Sequence, residues 1–141
     1  MERYVIIGAG AAGISAAPGL RDFQPQAGVT VISIDQHVHS RCMLHKFLGG
    51  ERDIPGISFV RQDFFDKNDI VHIPCERVDR IDTAEKTVWF GEGFSAPYDK
   101  LLIATGAGFF IPPIPHFREA PNVFGFRDLR VALEIDGARA R

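Results

Sequence analysis

The sequence predicts an α/β fold in which helices cover a parallel sheet and an antiparallel β-hairpin or meander is added. Three observations lead to this prediction. An apolar run at 4–7 is followed by a glycine-rich turn, an alanine-rich segment and a β-branched run at 29–34, which is the βαβ order. The stretch 77–90 alternates apolar and charged residues, as a half-solvated hairpin does. The stretch 98–106 then returns an apolar strand to the core.

The individual elements follow from the pattern of each segment. The run at 4–7 is fully apolar, as in a buried parallel strand, and the alanine-rich segment 11–23 predicts the first helix. Pro18 lies inside that helix, where it lacks a donor and clashes with the preceding turn, so we expect a kink or a weaker helix. Further predicted elements are helices at 43–48 and 62–68, a strand at 70–73, a proline-rich turn at 111–115 and a last helix at 128–140.

Composition limits the functions that are open to the chain. Its 141 residues are 45% hydrophobic, which suits one globular domain, and a net charge of -2 gives no footprint for nucleic acid. Cys42 and Cys75, the two cysteines, have neither disulfide-framework nor metal-ligand spacing, which predicts a reducing cytoplasmic location and no metal site. The apolar runs are too interrupted for a targeting or membrane segment.

The glycine-rich turn "IIGAGAAG" predicts a dinucleotide site. Gly8 permits a tight turn, Gly10 has no side chain to hold a pyrophosphate away from the backbone, and Gly13 lets helix and strand pack closely. Ala11 and Ala12 begin the helix, whose free N–H groups and partial positive charge attract phosphate. A glycine-rich turn alone is weak evidence for a dinucleotide site, but this turn joins a predicted strand to a predicted helix, as the motif requires.

Asp35 completes the pattern. It follows the second predicted strand, twenty-two residues past Gly13, where a carboxylate accepts hydrogen bonds from both hydroxyls of a ribose. An acid at this place argues against a 2′-phosphate. The alternative is a structural turn followed by a capping aspartate.

Several stretches together resemble the N-terminal FAD segment of the pyridine nucleotide-disulfide oxidoreductases. They are "YVIIGAGAAGISAA", the hairpin before "YDKLLIATGA", and the following "PPIP" and "NVFGFRDL". The resemblance implies a Rossmann-like FAD-binding fold, places Ala104, Thr105 and Gly106 beside FAD, and puts a main-chain contact to adenine near Val78. The alternative for "ATG" is an ordinary turn at a strand end. A lone NAD-binding domain is disfavoured, because "YDKLLIATGA" after a hairpin belongs with FAD.

The stretch "SRCMLHKFLGG" at 40–50 resembles two branches of that family. In single-cysteine members, such as coenzyme A-disulfide reductases and NADH oxidases, a cysteine stands where Cys42 does, which implies a redox thiol near the flavin. In ferredoxin, rubredoxin and nitrite reductase-like members, a basic pair matching Arg41 and Lys46 contacts FAD. Phe47 stands where dithiol members carry a second cysteine, so a dithiol reductase is excluded. The alternatives are a small, half-buried cysteine at a helix start and a solvated basic face.

The resemblance covers nearly the whole chain but only the first part of the family's architecture. Residues 1–141 match the N-terminal segment of the FAD domain, while the NAD(P) domain and the C-terminal FAD segment have no counterpart, so we expect an incomplete fold. The implied function is the FAD-binding portion of an NAD(P)H-dependent oxidoreductase that passes electrons to a thiol, a disulfide or a small redox protein. The alternative is a non-catalytic FAD- or ADP-binding fragment, or a half-domain that needs a partner chain. Expected partners are FAD and a C-terminal half or a second copy at an unpaired sheet edge.

Overall fold

The computed structural model describes residues 1–139 and divides into two units. The first unit comprises residues 1–38 and 60–106; the second comprises residues 39–59 and the chain from Ala107 onward. None of the helices within residues 1–139 is long and apolar enough to cross a membrane.

A four-stranded parallel sheet forms the centre of the first unit. Its strands are β1 (Arg3–Ile7), β2 (Gly28–Ile32), β3 (Ile70–Ile73) and β7 (Lys100–Ile103), in the order β3-β2-β1-β7. The register aligns Ile7 with Ile32 and with Ile103, so the carboxyl ends of these strands lie side by side. The four strands predicted at 4–7, 29–34, 70–73 and within 98–106 are confirmed, and β2 ends two residues earlier than predicted.

Helix α1 (Ala11–Phe23) packs on one face of this sheet and matches the predicted bounds. Its buried Ala17 lies in a cluster with Ile6 and Val31, and the short helix α3 (Phe64–Lys67) adds aromatic rings to the same cluster. The helix is continuous through Pro18, whose missing N–H leaves the carbonyl of Ile14 without its intrahelical donor. The proline therefore weakens the helix without ending it.

An antiparallel meander covers the other face of the sheet. Strands β4 (Val78–Asp82), β5 (Thr87–Phe90) and β6 (Phe94–Pro97) are paired in that order, so the predicted hairpin has a third strand. Val88 and Phe90 of β5 are buried against Val5 and Ile32. Alternating side chains of the meander thus reach the core while their neighbours stay in solvent.

The second unit is built from short helices. A 3₁₀ turn (Arg41–Met43) leads into α2 (Leu44–Leu48), a second 3₁₀ turn covers Pro55–Ile57, and α4 (Leu129–Arg139) packs against α2. Leu44, Ile57, Leu129 and Ala132 form its buried cluster. Asp128 precedes α4, and its carboxylate accepts a hydrogen bond of 2.9 Å from the Val131 amide. The predicted end of this helix at Ala140 lies outside the described residues.

An ion pair joins the starts of β1 and β7. The guanidinium of Arg3 donates from Nε and Nη2 to the two carboxylate oxygens of Asp99, each over 3.1 Å, and the Arg3 amide donates to Oδ2 over 2.8 Å. The side-chain hydrogen bonds from Arg3, and next to them the hydrogen bond from its backbone amide, lower the pKa of Asp99 from 3.8 to about 2. The carboxylate form of Asp99 is therefore favoured in the folded chain.

We expect Asp99→Asn to change how stability depends on pH. Because the folded-state pKa of Asp99 is depressed, its stabilisation is present above pH 3.8 and is lost as the pH falls towards about 2. The difference in unfolding temperature between the parent and Asp99→Asn should shrink over this range, and thermal scans monitored by circular dichroism measure it. Asp22→Asn is the matched control, since Asp22 is exposed and has no ion pair within residues 1–139. A constant difference down to pH 2 would contradict the assignment.

Candidate dinucleotide-binding site

Most of the predicted site residues of the first unit lie in the turns that follow the parallel strands. The Gly8 amide donates to the Ile32 carbonyl over 2.8 Å, and the Ala104 amide donates to the Ile7 carbonyl over 2.8 Å. The Ser33 amide continues the row by donating to the Ile73 carbonyl over 3.0 Å. The turns that follow β1, β2 and β7 are therefore brought to one edge of the sheet, the usual ligand edge of open α/β sheets.

The three glycines of the turn have different surroundings. Gly8 has a φ of +111°, and a Cβ there would collide with the Ala104 carbonyl oxygen. A Cβ on Gly13 would collide with the Gly8 carbonyl oxygen and come within 3.2 Å of Ile6 Cγ2. A Cβ on Gly10 would meet no heavy atom within 4 Å. Gly8 and Gly13 thus pack the turn, whereas Gly10 faces open space.

The open space at Gly10 adjoins the amino end of α1. Gly10 is the extended residue before the helix, and its carbonyl accepts the Ile14 amide over 3.0 Å. The amides of Ala11, Ala12 and Gly13 have no acceptor within the helix, by helix geometry. The first turn contains no acidic side chain to repel an anion. A pyrophosphate could therefore approach these amides without a steric barrier.

Asp35 lies beyond the second strand rather than at its end. Strand β2 stops at Ile32, and the chain bends through Ser33 and Ile34 before it reaches Asp35. Across this bend the Ser33 hydroxyl donates to the Asp35 carbonyl over 2.9 Å, a local hydrogen bond that competes with continuation of the strand. Within residues 1–139 the half-buried Asp35 carboxylate has no hydrogen-bond or ion-pair partner, so its oxygens are available to a ligand.

The turn after β7 lies against Gly8. Ala104 contacts Gly8 through its backbone, Thr105 is exposed, and Gly106 has a φ of +72°, a conformation that favours glycine. Val78 is the first residue of β4 and pairs with Phe90, the last residue of β5. The structure thus brings Ala104 and Gly8 together, and Val78 belongs to the same unit.

The three remaining predicted residues lie in the second unit. Arg41 and Cys42 are exposed in the 3₁₀ turn before α2, so the half-buried position considered for Cys42 is wrong. Lys46 lies on α2, and its Nζ donates to Glu51 Oε2 over 2.6 Å. This hydrogen bond from Lys46 is the main reason why the pKa of Glu51 is lowered. Sequence reasoning missed the Lys46–Glu51 pair because Glu51 follows two glycines and belongs to no predicted element.

Two further polar side chains lie beside the Asp35 bend. Ser33 is buried, and its Oγ is 3.0 Å from Nε2 of His72 on β3. The His72 ring stacks on Phe65 with centroids 4.0 Å apart, and partial burial lowers its pKa. Nothing in the spacing of Ser33 and His72, thirty-nine residues apart, indicates this contact. Within residues 1–139 no group of histidine, cysteine or acidic side chains could hold a metal ion.

Comparison with known proteins bears on these geometric features. The family described as pyridine nucleotide-disulphide oxidoreductase matches residues 2–138. The chain belongs to this family. Its members depend on FAD and use NAD(P)H, and the chain corresponds to their FAD-binding region. The predicted family and fold class are therefore confirmed.

Two curated members and one solved structure illustrate the relationship. The chain is 32% identical to nitrite reductase [NAD(P)H] of Bacillus subtilis over 92% of this chain and 16% of that protein. It is 29% identical to NADH-rubredoxin oxidoreductase of Clostridium acetobutylicum over 94% of this chain and 34% of that one. The structure of an NAD-dependent persulfide reductase from A. fulgidus superimposes with a TM-score of 0.85 at 31% identity, covering 98% of this chain and 27% of that one. The chain thus spans about a third or less of the length of these oxidoreductases.

The residues at the sheet edge fit the dinucleotide that the oxidoreductase family requires. The decisive observation is the empty surrounding of Gly10 beside the α1 amides, because a side chain at that position would occupy the approach of a phosphate. The Asp35 carboxylate has no partner in the part of the chain that the structure describes, so both of its oxygens are open to ribose hydroxyls. Both features belong to the first unit.

Proposed function

We propose that the chain is the FAD-binding portion of an NAD(P)H-dependent oxidoreductase that passes electrons to a thiol, a disulfide or a small redox protein. The observation that carries the proposal is the open approach to Gly10 and the α1 amides at the carboxyl edge of a parallel sheet. The relatives named above act on nitrite, rubredoxin and persulfide according to their names, which supports electron transfer without fixing the acceptor.

The residues that would hold FAD have distinct tasks. The turn and helix start would bind the pyrophosphate, and Asp35 would accept the ribose hydroxyls. The Ala104–Gly106 turn and the main chain of Val78 would line the remaining length of the cofactor. Arg41 and Lys46 would supply positive charge to its phosphate or flavin. The pyrophosphate-binding set is Gly8, Gly10, Ala11, Ala12 and Gly13. Bound FAD would supply a ring that accepts a hydride and releases electrons one or two at a time.

Lys46 would serve FAD only by sharing its ammonium group with Glu51. The two side chains are 37% and 59% exposed, so water screens their attraction and the pair is easily rearranged. His45, which is exposed beside Lys46, is a second candidate neighbour of the flavin. Nicotinamide would be bound by a domain that these residues do not include.

A second role concerns partners. Within residues 1–139, β7 pairs with β1 on one side, and its other edge has no strand. Leu102 and Ile103 of β7 are 38% and 61% exposed, and an apolar groove of about 350 Å³ lies between β7, β1 and α1. An unpaired, apolar edge favours pairing with another strand. We propose that a C-terminal half, or else a second copy, covers it.

The exposed, unpaired thiols of Cys42 and Cys75 support a reducing, cytoplasmic location.

We expect the purified 141-residue chain to bind FAD through the ADP half of the cofactor. In calorimetric competition, ADP should displace FAD and riboflavin should not, because the residues proposed to bind the phosphates and the ribose belong to the first unit. Displacement by riboflavin alone would contradict the proposal.

The alternative function is a binding piece without catalysis of its own. A dye-reduction assay with NADH or NADPH and the FAD-saturated chain separates the two. We expect a rate no higher than that of free FAD until a C-terminal half is supplied. Robust turnover by the chain alone would contradict the need for a further domain.

We expect Cys42 to react faster with iodoacetamide than Cys75, and bound FAD to slow the reaction at Cys42. Both thiols are exposed and open to the reagent, so slowing of Cys42 alone by FAD would report that the cofactor binds beside it. Peptide mapping after timed alkylation measures both sites in one sample, with Cys42→Ser to confirm the assignment. Equal alkylation rates that do not change when FAD is added would contradict a redox role for Cys42. Arg41 and Lys46 would then remain as the functional pair.

A further inference from the structure

We infer that Ser33 and His72 are positioning residues that fix the Asp35 bend for ribose binding. The inference rests on the proposed function, since it assigns a task at the same dinucleotide site. Its basis is a continuous hydrogen-bonded path from His72 Nε2 to Ser33 Oγ, over 3.0 Å, and from Ser33 Oγ to the Asp35 carbonyl, over 2.9 Å.

The direction of each hydrogen bond follows from the number of hydrogens. A serine hydroxyl has one hydrogen, and a carbonyl can only accept, so that hydrogen goes to the Asp35 oxygen. Ser33 Oγ must then accept from His72, which places a hydrogen on Nε2. This donor is present both in the corresponding neutral tautomer and in the protonated ring. The path thus has a donor at one end and a backbone acceptor of Asp35 at the other.

The surroundings hold both side chains in place. Ser33 is 3% exposed, and its backbone is fixed on two sides, because its amide donates to Ile73 and its carbonyl accepts from Glu76 over 2.9 Å. The ring of His72 is held by β3 and by its stack on Phe65, with 12° between the ring planes. Asp35 has no such support of its own, since its carboxylate has no partner within residues 1–139. The rigid pair therefore determines where the carboxylate can lie.

The test measures binding of ADP and of 2′,3′-dideoxy-ADP, which lacks both ribose hydroxyls, to the full 141-residue chain by calorimetry. Ser33→Ala removes both hydrogen bonds, and His72→Phe keeps a ring for the stack while removing the donor. We expect Ser33→Ala to weaken ADP binding by about 3- to 10-fold and His72→Phe by about 2- to 5-fold, as for loss of neutral hydrogen bonds. Neither variant should change the affinity for the dideoxy ligand. Ser95→Ala, an exposed serine on β6, is the control.

A double-variant cycle shows whether the effect passes through Asp35. Ser33→Ala should weaken ADP binding in the parent and have no effect in the Asp35→Ala background. Equal weakening of both ligands, or no weakening by either variant, would overturn the inference. If Asp35→Ala itself leaves ADP binding unchanged, or the parent does not bind ADP, the proposed ribose site fails and the inference fails with it. If Asp35→Ala weakens ADP binding but Ser33→Ala and His72→Phe do not, only the inference fails. Circular dichroism checks folding, and His72→Phe carries the test if Ser33→Ala does not fold.

Discussion

Gly10→Val should weaken ADP binding by about 100-fold while the chain stays folded. A Cβ at Gly10 meets no heavy atom within 4 Å beyond its chain neighbours, so the fold leaves room for a side chain there. The same side chain would fill the approach to the α1 amides and separate the pyrophosphate from them. Loss of two charge-assisted hydrogen bonds corresponds to about 3 kcal/mol, or an affinity about 100-fold lower. Unfolding free energy should fall by about 1 kcal/mol, because valine is less favourable than glycine at the residue immediately before a helix.

Gly19→Val is the matched control for this experiment. Gly19 also has no heavy atom within 4 Å of an added Cβ, but it lies in the middle of α1, two turns from the phosphate-binding end. It should therefore retain the parent affinity for ADP in the calorimeter. If Gly10→Val binds ADP as the parent does, the pyrophosphate does not bind at this turn. If Gly19→Val loses binding as well, the effect is not local to the helix start.

Gly13→Ala should destabilise the fold by about 3 kcal/mol, the upper end of the range for overpacking. The added methyl group would collide with the Gly8 carbonyl oxygen and lie 3.2 Å from Ile6 Cγ2, and the first of these is backbone that cannot rotate away. Helix propensity alone predicts the opposite sign, since alanine is favoured over glycine inside a helix by about 1 kcal/mol. Urea unfolding measured by circular dichroism decides between the two effects.

Gly19→Ala isolates the propensity effect in the same helix. Its added methyl group meets no neighbour, so we expect stability to rise by about 1 kcal/mol. Opposite signs for Gly13→Ala and Gly19→Ala would show that close approach of α1 to the glycine turn, rather than helix formation, requires Gly13. Stabilisation by both substitutions would contradict the tight packing at Gly13.

Much of the fold could be predicted because neighbouring residues encode it. The alanine-rich segment 11–23 has a glycine on the amino side and gave the bounds of α1 without error. The β-branched run gave β2, although the strand ends at Ile32 instead of residue 34. The apolar period continues to Ile34, and only the hydroxyl of Ser33 bonding to Asp35 shows where the chain turns. Strand β6 escaped prediction because "FSAP" is short and has no alternation of its own; it forms by pairing with β5.

Some features of the candidate site could also be predicted from local sequence, whereas others could not. Glycine spacing and an acid after the second strand are local patterns, so Gly8, Gly10, Gly13 and Asp35 can be selected from the sequence. The roles of the glycines could not be separated by spacing, because the contact of Gly8 with Ala104 joins residues ninety-six positions apart. Lys46 presents the same difficulty: its charge is visible in the sequence, but its pairing with Glu51 is not.

The sequence by itself determined the order of the elements apart from β6, the glycine-rich turn between β1 and α1, and the family, because each depends on residue types at short, fixed spacings. Tertiary structure alone decided which glycine faces open space, that the Asp35 carboxylate is left without a partner within residues 1–139, and that His72 reaches Ser33. The physical reason is that parallel strands place residues from distant parts of the chain side by side at one sheet edge. Steric contacts and hydrogen bonds across that edge depend on register and backbone angles, which no local pattern specifies.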